Sequence, residues 1–204
     1  MSYYEGILIS SNKVINASAA GAEIKEDKLL LKIYHPSDTS RNLDLGSHFT
    51  FSLTEDLELF YTASLKGHDE PGKAELAEEE IFERNGYYYP KKATKIHFCE
   101  VTDIKTKEGK DEYGKYTIKR ISAKINDEEG EEKYLTRDNP YLDSMVYASR
   151  VPVSNEEQRK KIKNKVKELL RKRDTNLAER ITTYIEGEKN EIWSSHPFQI
   201  FRRF

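Results

Sequence analysis

The sequence contains a single cysteine, Cys99, among its 204 residues. One cysteine closes no disulfide within the chain, which excludes the class of disulfide-bonded scaffolds. No apolar run reaches the roughly 18 residues that a membrane-spanning helix requires. The first residues, Met1 to Glu5, show neither the basic start nor the apolar stretch of a secretory signal peptide. Together these features predict a cytoplasmic protein in a reducing environment.

Sequence motifs that identify common catalytic sites are also missing. The sequence has no G-x-S-x-G, H-E-x-x-H or G-x-x-x-x-G-K-[ST] segment and no paired C-x-x-C. His97 and Cys99 stand two residues apart, on one face of a predicted strand, where two metal ligands can meet. No second ligand pair exists elsewhere, so the pattern favours an ordinary His and Cys on a half-buried strand. No metal site is predicted, and no side chain is marked as catalytic.

An excess of one charge sign is absent from the chain as a whole, because 34 Lys and Arg face 36 Asp and Glu. The formal net charge of -2 argues against a dedicated nucleic-acid binder. Between Arg159 and Arg173, however, nine basic residues accompany one acid, Glu168, so this stretch carries +8 and the remainder -10. Three interpretations stay open: a module that binds nucleic acid or an acidic partner, a solvated helix face, or docking on an acidic surface such as Glu75 to Glu83 or on another subunit.

Apolar residues make up 36% of the chain, enough to build a sizeable core. Short β-branched and aliphatic runs separated by turn signals predict strands from Tyr4 to about Leu53. Within this part, Thr39 to Leu45 is predicted to be a short helix ended by Gly46. Lys66 to Lys92 is predicted to be a surface excursion with one short helix. Two long alternating strands follow, Thr94 to Thr106 and Tyr116 to Asn126.

From Asp138 the apolar period changes from two to about 3.6, which predicts helices. One of them begins at a capping box formed by Ser154 and Glu157. The expected fold class is therefore α+β, with a mainly antiparallel β body over residues 1–135 and a small helical domain over residues 136–190. Residues 191–204 form an aromatic and basic tail that is expected to pack back on the body.

A segment rich in hydroxyl groups, Ser37 to Asn42, follows the strand that ends at Tyr34. Three hydroxyls, the Arg41 guanidinium and the free amides of a first helical turn are the donors that a phosphate group needs. Asp38 counts against an anion site unless its side chain points away. The alternative is that Ser37 and Thr39 only cap a surface helix.

Small residues fill the segment Asn16 to Gly21 in the middle of a strand region. Small side chains in a strand give up packing, and close approach of a flat ligand to the backbone is one reason to accept that loss. The alternative is a bulge or a tight barrel corner at Gly21, and spacing alone favours this alternative.

The order of these segments resembles the FMN-binding split β-barrel of flavin-reductase-like proteins. More closely, the chain is similar to the mainly archaeal family known as domain of unknown function 447. The resemblance covers most of the first 150 residues and, more loosely, the helical remainder. The segments that carry it are Glu5-Gly6-Ile7, Asn16 to Gly21, Tyr34 to Leu43, Phe49 to Asp56, Ala93 to Val101 and Ala148-Ser149-Arg150.

This resemblance implies an FMN-binding flavoprotein, a flavin-dependent oxidoreductase of unspecified substrate. It implies a homodimer with the flavin near the interface, and a nicotinamide nucleotide or another small redox partner. The phosphate would sit at Ser37, Thr39 and Ser40, with Arg41 or Lys32 as a further ligand, and the isoalloxazine ring along Asn16 to Ala19. Ala19 and Ser52 depart from the family pattern, which often has Pro and Asn there. The implied cofactor-binding residues are Asn16, Ala17, Ser18, Ala19, Lys32, Ser37, Thr39, Ser40, Arg41, Asn42 and Ser52.

Overall fold

A computed structural model describes residues 2–11, 15–35, 37–65, 75–111, 114–151, 154–173 and 175–187. Its strands are β1 (Ser2–Ser11), β2 (Ile15–Lys25), β3 (Lys28–His35), β4 (His48–Leu53), β5 (Ile81–Arg84), β6 (Tyr87–Pro90), β7 (Lys95–Asp111) and β8 (Gly114–Gly130). Its α-helices are α1 (Asp38–Asn42), α2 (Leu57–Ser64), α3 (Pro140–Ala148), α4 (Glu156–Leu170) and α5 (Asn176–Glu186).

Six antiparallel strands close into a barrel in the order β1, β2, β3, β8, β7 and β4. The predicted α+β class with a mainly antiparallel barrel and a helical end is confirmed. The division at residue 135 stays a prediction, because the helices share a core with the barrel wall. The tail predicted to pack back, residues 191–204, lies outside the described residues.

β1 has both of its faces buried, which explains why its sequence is apolar without alternation. Leu8 points into the barrel, where it packs with Leu31 and Phe51. Ile7 and Ile9 point outward and pack with residues of α2 to α5 in a second core. A strand that carries cores on both sides is expected to read as a continuous apolar run. β1 is thus the wall shared by the barrel interior and the helical layer.

Helix α4 begins one residue later than predicted. Its N-cap is Asn155, whose side chain accepts from the Gln158 N–H, while Gln158 reaches back to the Asn155 N–H. Ser154 instead donates its hydroxyl to the Arg150 carbonyl. The predicted box of Ser154 and Glu157 was therefore wrong by one position, because Asn is as good a cap as Ser.

Helix α1 ends at Asn42, three residues before the predicted end. Leu43 is extended and fully buried in the barrel core, so the chain leaves the helix to fill the interior. The Lys119 ammonium binds the carbonyls of Ser40 and Leu43 and satisfies groups that the helix would otherwise have used. Gly46 lies in a later turn with a φ of +78°.

The excursion before β7 contains a hairpin that was not predicted. A 3-10 turn over Glu78–Glu80 leads into β5, which pairs with β6. Asn85 and Gly86 connect the strands, both with positive φ, which is the geometry of a two-residue hairpin turn. Asn-Gly between aromatic runs is the sequence signal that identifies it. Residues 66–74 of the excursion lie outside the described residues.

The basic helix α4 turns Ile162, Val166 and Leu170 into the second core. Several of its charges pair with acids nearby: Lys161 with Glu157, Lys165 with Glu168, and Lys167 with Glu186 of α5. These exposed pairs neutralise part of the positive stretch. In the part of the chain that the structure describes, no helix is long and apolar enough to span a membrane.

Candidate functional site

Strand β2 is paired along both edges at only one end. Residues 15–24 pair with β1, but only residues 22–25 pair with β3. Residues 15–21 therefore have one edge that carries no strand partner. Their register with β1 is regular through Gly21, so the alternative of a bulge there was wrong. A Cβ at Gly21 would overlap the end of the Tyr3 side chain, which is exposed and can move aside.

The loop helix α1 lies against this end of β2. The Thr39 hydroxyl lies 2.9 Å from Asn16 Oδ1 and 2.8 Å from Ser18 Oγ. One hydroxyl carries one proton and can accept another, so it joins both side chains. Thr39 is 5% exposed and Asn16 8% exposed. The structure thus brings the two segments singled out in the sequence into one polar cluster, although they are 21 to 23 residues apart.

Two donors of this cluster point off the unpaired edge of β2 and meet a carboxylate. Asn16 Nδ2 donates to Glu75 Oε1 and the Ala17 N–H donates to Glu75 Oε2, both at 2.8 Å. Burial raises the pKa of Glu75, and the negative charge of Asp38 adds to this effect. The hydrogen bonds from Ala17 and Asn16 work in the opposite direction without cancelling it. Glu75 was missed as a site residue because the surrounding run of acids is typical of a solvated surface.

Ser37 caps α1, as the alternative to a phosphate site predicted, but its partner in the cap is Ser40 and not Thr39. Ser37 Oγ accepts from the Ser40 N–H at 3.1 Å, and Ser40 Oγ accepts from the Ser37 N–H at 3.0 Å. Ser40 Oγ also donates to the Ser37 carbonyl and contacts His35 Nδ1, and the residue is fully buried. The Ser40 hydroxyl is therefore used within the protein. Ser37 is partly exposed, and its hydroxyl keeps its own proton for donation, because it only accepts in the cap.

Charge at the start of α1 is balanced within the helix. Arg41 donates to Asp38 at 2.8 Å, and both side chains are partly exposed. The ion pair offsets the like charge that Asp38 would present to an anion. Asn42 points the other way along the helix and donates to Ser10 Oγ of β1 at 3.4 Å. Asn42 thus ties α1 to the barrel wall.

Two predicted residues lie away from the cluster. The Lys32 ammonium pairs with Glu23 at 3.1 Å, and its side chain is 60% exposed on the outside of the barrel. Ser52 lies on β4, beside Ile7 of β1, so β1 separates it from β2 by two strand spacings, or about 10 Å. Its hydroxyl is buried and finds no hydrogen-bond partner among the described residues. The structure brings neither residue to Asn16 and Thr39.

Lys119 is a further residue of this region that the sequence reasoning missed. Lys119, Ile121 and Ala123 alternate along β8 and lie on its inward face. The Lys119 ammonium lies under α1 at the barrel mouth. A charged residue at the end of an apolar stripe is the signal that would have found it. Lys119 holds α1 in place by donating to the carbonyls of Ser40 and Leu43.

His97 and Cys99 lie in the barrel wall, with both side chains buried. The His97 ring stacks near Phe51, with 6.4 Å between centroids, and its Nδ1 is 3.5 Å from Glu128 Oε2. Burial lowers the pKa of His97 and raises the pKa of the Cys99 thiol. Among the described residues, no three His, Cys, Asp or Glu side chains lie together as metal ligands.

A closed antiparallel barrel with a short helix at its mouth and helices on one wall is the fold of the flavin-reductase-like FMN-binding split barrels. Within that class the family is also shown. The model "Protein of unknown function (DUF447) N-terminal domain" matches residues 4–127, and the chain belongs to this family.

Several solved structures share this fold with the chain at low sequence identity. The FMN-bound protein MM1853 from Methanosarcina mazei, which carries the same family model, is 14% identical and has a TM-score of 0.61, over 91% of this chain and 94% of that chain. Nitrilotriacetate monooxygenase component B from Bacillus cereus is 14% identical with a TM-score of 0.51, over 65% of this chain and 71% of that chain.

A third such structure is the NADH:FAD oxidoreductase SgcE6 from Streptomyces globisporus C-1027. It is 12% identical with a TM-score of 0.50, over 64% of this chain and 77% of that chain. The match to MM1853 includes the helical end, whereas the other two cover about two thirds of the chain. A search of the curated proteins found no match.

Proposed function

We propose that this chain binds FMN at the unpaired edge of β2 and acts as a flavin-dependent oxidoreductase. The observation that carries the proposal is the pair of donors, Asn16 Nδ2 and the Ala17 N–H, directed off an edge that has no strand partner. The structure of MM1853, which aligns with 91% of this chain, holds FMN and supports the proposal.

The residues at this edge fit the polar rim of an isoalloxazine ring. A rim with carbonyl acceptors needs N–H donors in a row, and the small side chains of Ala17 and Ala19 let a planar ring approach the backbone. Residues two apart on a strand direct their N–H groups the same way, so the Ala19 N–H continues the row begun by Ala17. Thr39 holds the Asn16 amide in one orientation through Oδ1, so that Nδ2 faces the open edge.

The phosphate of FMN belongs, in this proposal, to the loop at the start of α1. Ser37 offers its hydroxyl proton, and Arg41 offers a guanidinium that is already oriented by Asp38. Lys119 and Asn42 fix the position of the loop on the barrel. Ser40, Lys32 and Ser52 are left out, because the first is used inside the loop and the other two lie away from it.

Bound FMN would supply hydride and electron transfer, so the protein needs to bind and orient the flavin rather than provide a catalytic side chain. This requirement agrees with the absence of catalytic motifs in the sequence. SgcE6 is an NADH:FAD oxidoreductase, which supports a nicotinamide nucleotide as the electron donor. A homodimer with the flavin near the interface, in the cytoplasm, completes the proposal.

The test is flavin binding by the purified chain. The protein stripped of ligand is titrated into FMN, and the flavin absorbance and fluorescence are followed, with retention through gel filtration as a second measure. The proposal expects saturable one-to-one binding, and weaker binding of FMN to Ser37→Ala with riboflavin binding unchanged. A chain that leaves both spectra unaltered does not have this function. Reduction of the bound flavin by NADH or NADPH then tests the oxidoreductase part.

A further inference from the structure

The Glu75 carboxylate occupies the donors that the proposed FMN site needs. Its two oxygens accept from Asn16 Nδ2 and from the Ala17 N–H, each at 2.8 Å. A backbone N–H carries one proton, so Ala17 cannot donate a full hydrogen bond to Glu75 and to a ligand at once. Any ligand that lies along the edge of residues 16–19 must therefore displace this carboxylate.

We infer that Glu75 is the residue that sets the affinity and selectivity of this site for flavin: it holds the Asn16 and Ala17 donors in the free protein, and the carbonyl oxygens of the isoalloxazine rim replace it when FMN binds. The inference rests on the proposed function and adds to it a residue that the family resemblance did not include.

The position of Glu75 is not one in which a carboxylate is well stabilised. Its burial favours the neutral form, and Asp38 lies near enough to repel its charge. Three hydrogen bonds to the ionised group, from Ala17, Asn16 and its own backbone, fail to offset these effects. A neutral carbonyl oxygen at the same donors meets neither the desolvation cost of a charge nor the repulsion from Asp38. Burial and Asp38 therefore weaken the hold of Glu75 on these donors, which favours its replacement by a flavin rim.

Displacement requires only the side chain of Glu75 to turn away. The neighbouring residue, Leu76, is 2% exposed and packs in the second core, so the backbone at this point is anchored. Glu75 itself is partly exposed, which gives its carboxylate a path to solvent. The competition thus takes place between one side chain and one ligand, on a fixed strand edge.

The test compares Glu75→Ala, Glu75→Gln and the matched control Glu78→Ala, which removes an exposed charge from the same segment. Dissociation constants are measured for FMN and for riboflavin, which has the same ring and no phosphate. If Glu75 closes the site in about nine of ten free molecules, its removal tightens binding about tenfold. The gain is expected for both flavins in Glu75→Ala, smaller in Glu75→Gln, and absent in Glu78→Ala. A nitrogen-proton correlation spectrum provides a second measure, in which the Ala17 amide signal of the free protein moves in Glu75→Ala.

The outcomes separate this inference from the proposed function. A gain for FMN but not for riboflavin would overturn the inference, because it would reflect repulsion between Glu75 and the phosphate. Unchanged or weaker binding of both flavins in Glu75→Ala would also overturn it and would leave the FMN site standing. If neither flavin binds to any variant, both the inference and the proposed function fail.

Discussion

The two ends of β2 differ in one respect, which is the strand on their second side. Residues 22–24 pair with β1 and β3, so their backbone groups are used within the barrel. Residues 15–21 pair with β1 alone, and the Ala17 N–H on their other edge donates to Glu75. The same strand is therefore structural at one end and, in the proposed function, binds the ligand at the other. Backbone pairing, rather than side-chain chemistry, separates the two roles.

The largest expected effect comes from emptying the barrel interior. Phe51 is fully buried in the barrel interior. Phe51→Ala removes most of a large side chain there, and we expect a loss of about 3 to 5 kcal/mol in the free energy of unfolding. Urea titration followed by circular dichroism measures it. If the loss is below about 1 kcal/mol, the barrel interior is not the tightly packed region that the comparison requires.

A substitution at Gly6 tests how tightly β1 is packed, the strand that separates the barrel interior from the helical layer. A Cβ at Gly6 would lie 2.6 Å from the Ser52 carbonyl oxygen and 2.7 Å from the Phe51 ring. We expect Gly6→Ala to lower the free energy of unfolding by about 1 to 3 kcal/mol, because a backbone atom cannot move aside easily. Gly21→Ala is the control, since there the obstacle is the end of the Tyr3 side chain. The expectation is contradicted if Gly21→Ala lowers the free energy of unfolding more than Gly6→Ala does.

Thr39→Val probes the end of β2 that pairs with β1 alone, residues 15–21. The change keeps the shape of the side chain and removes the hydroxyl that joins Asn16 to Ser18. Leaving these polar atoms without their partner is expected to cost about 1 to 3 kcal/mol in unfolding free energy. We also expect weaker FMN binding, since the Asn16 amide loses its orientation. Thr39→Ser keeps the hydroxyl and should restore both quantities in part; an equal loss in both variants would show that the methyl group matters instead.

The smallest effect concerns the pH dependence of stability in the barrel wall. Burial, followed by the charge of Lys95, lowers the pKa of His97 in the folded state. The unfolded chain then binds the proton more readily, so His97 contributes stability above its ordinary pKa of about 6.5 that is lost as pH falls below it. His97→Gln should flatten the slope of unfolding free energy against pH in that window, by at most about 1.4 kcal/mol per pH unit.

Exposed His48 provides the control for this measurement. His48→Gln makes the same substitution at an exposed position of β4. If the two variants flatten the slope equally, the pH dependence does not arise from burial of His97.

Part of the site could be inferred from segments of the sequence together with the family resemblance. The segments that hold Asn16, Ser18 and Thr39 were noticed for their residue types, the resemblance assigned these residues to one site, and the structure places them together. Lys32 and Ser52 were expected at the same site on family resemblance, and the structure places them elsewhere. Glu75 and Lys119 were missed, because their roles depend on which distant residues lie beside them. A local pattern carries no information about such long-range contacts.

Alternation, turn residues and apolar period in the sequence were enough to predict a β body followed by helices, since these patterns depend on neighbours only a few residues away. Which edge of β2 would lack a partner was decided by the closed barrel, because the end of β3 that pairs with β2 is set by the register of the whole sheet. The same is true of the Glu75 contact, which joins residues 58 and 59 positions apart. Sequence patterns and the family resemblance supplied Asn16, Ser18 and Thr39 of the candidate site, and tertiary pairing determined which hydrogen-bonding groups face the unpaired edge of β2.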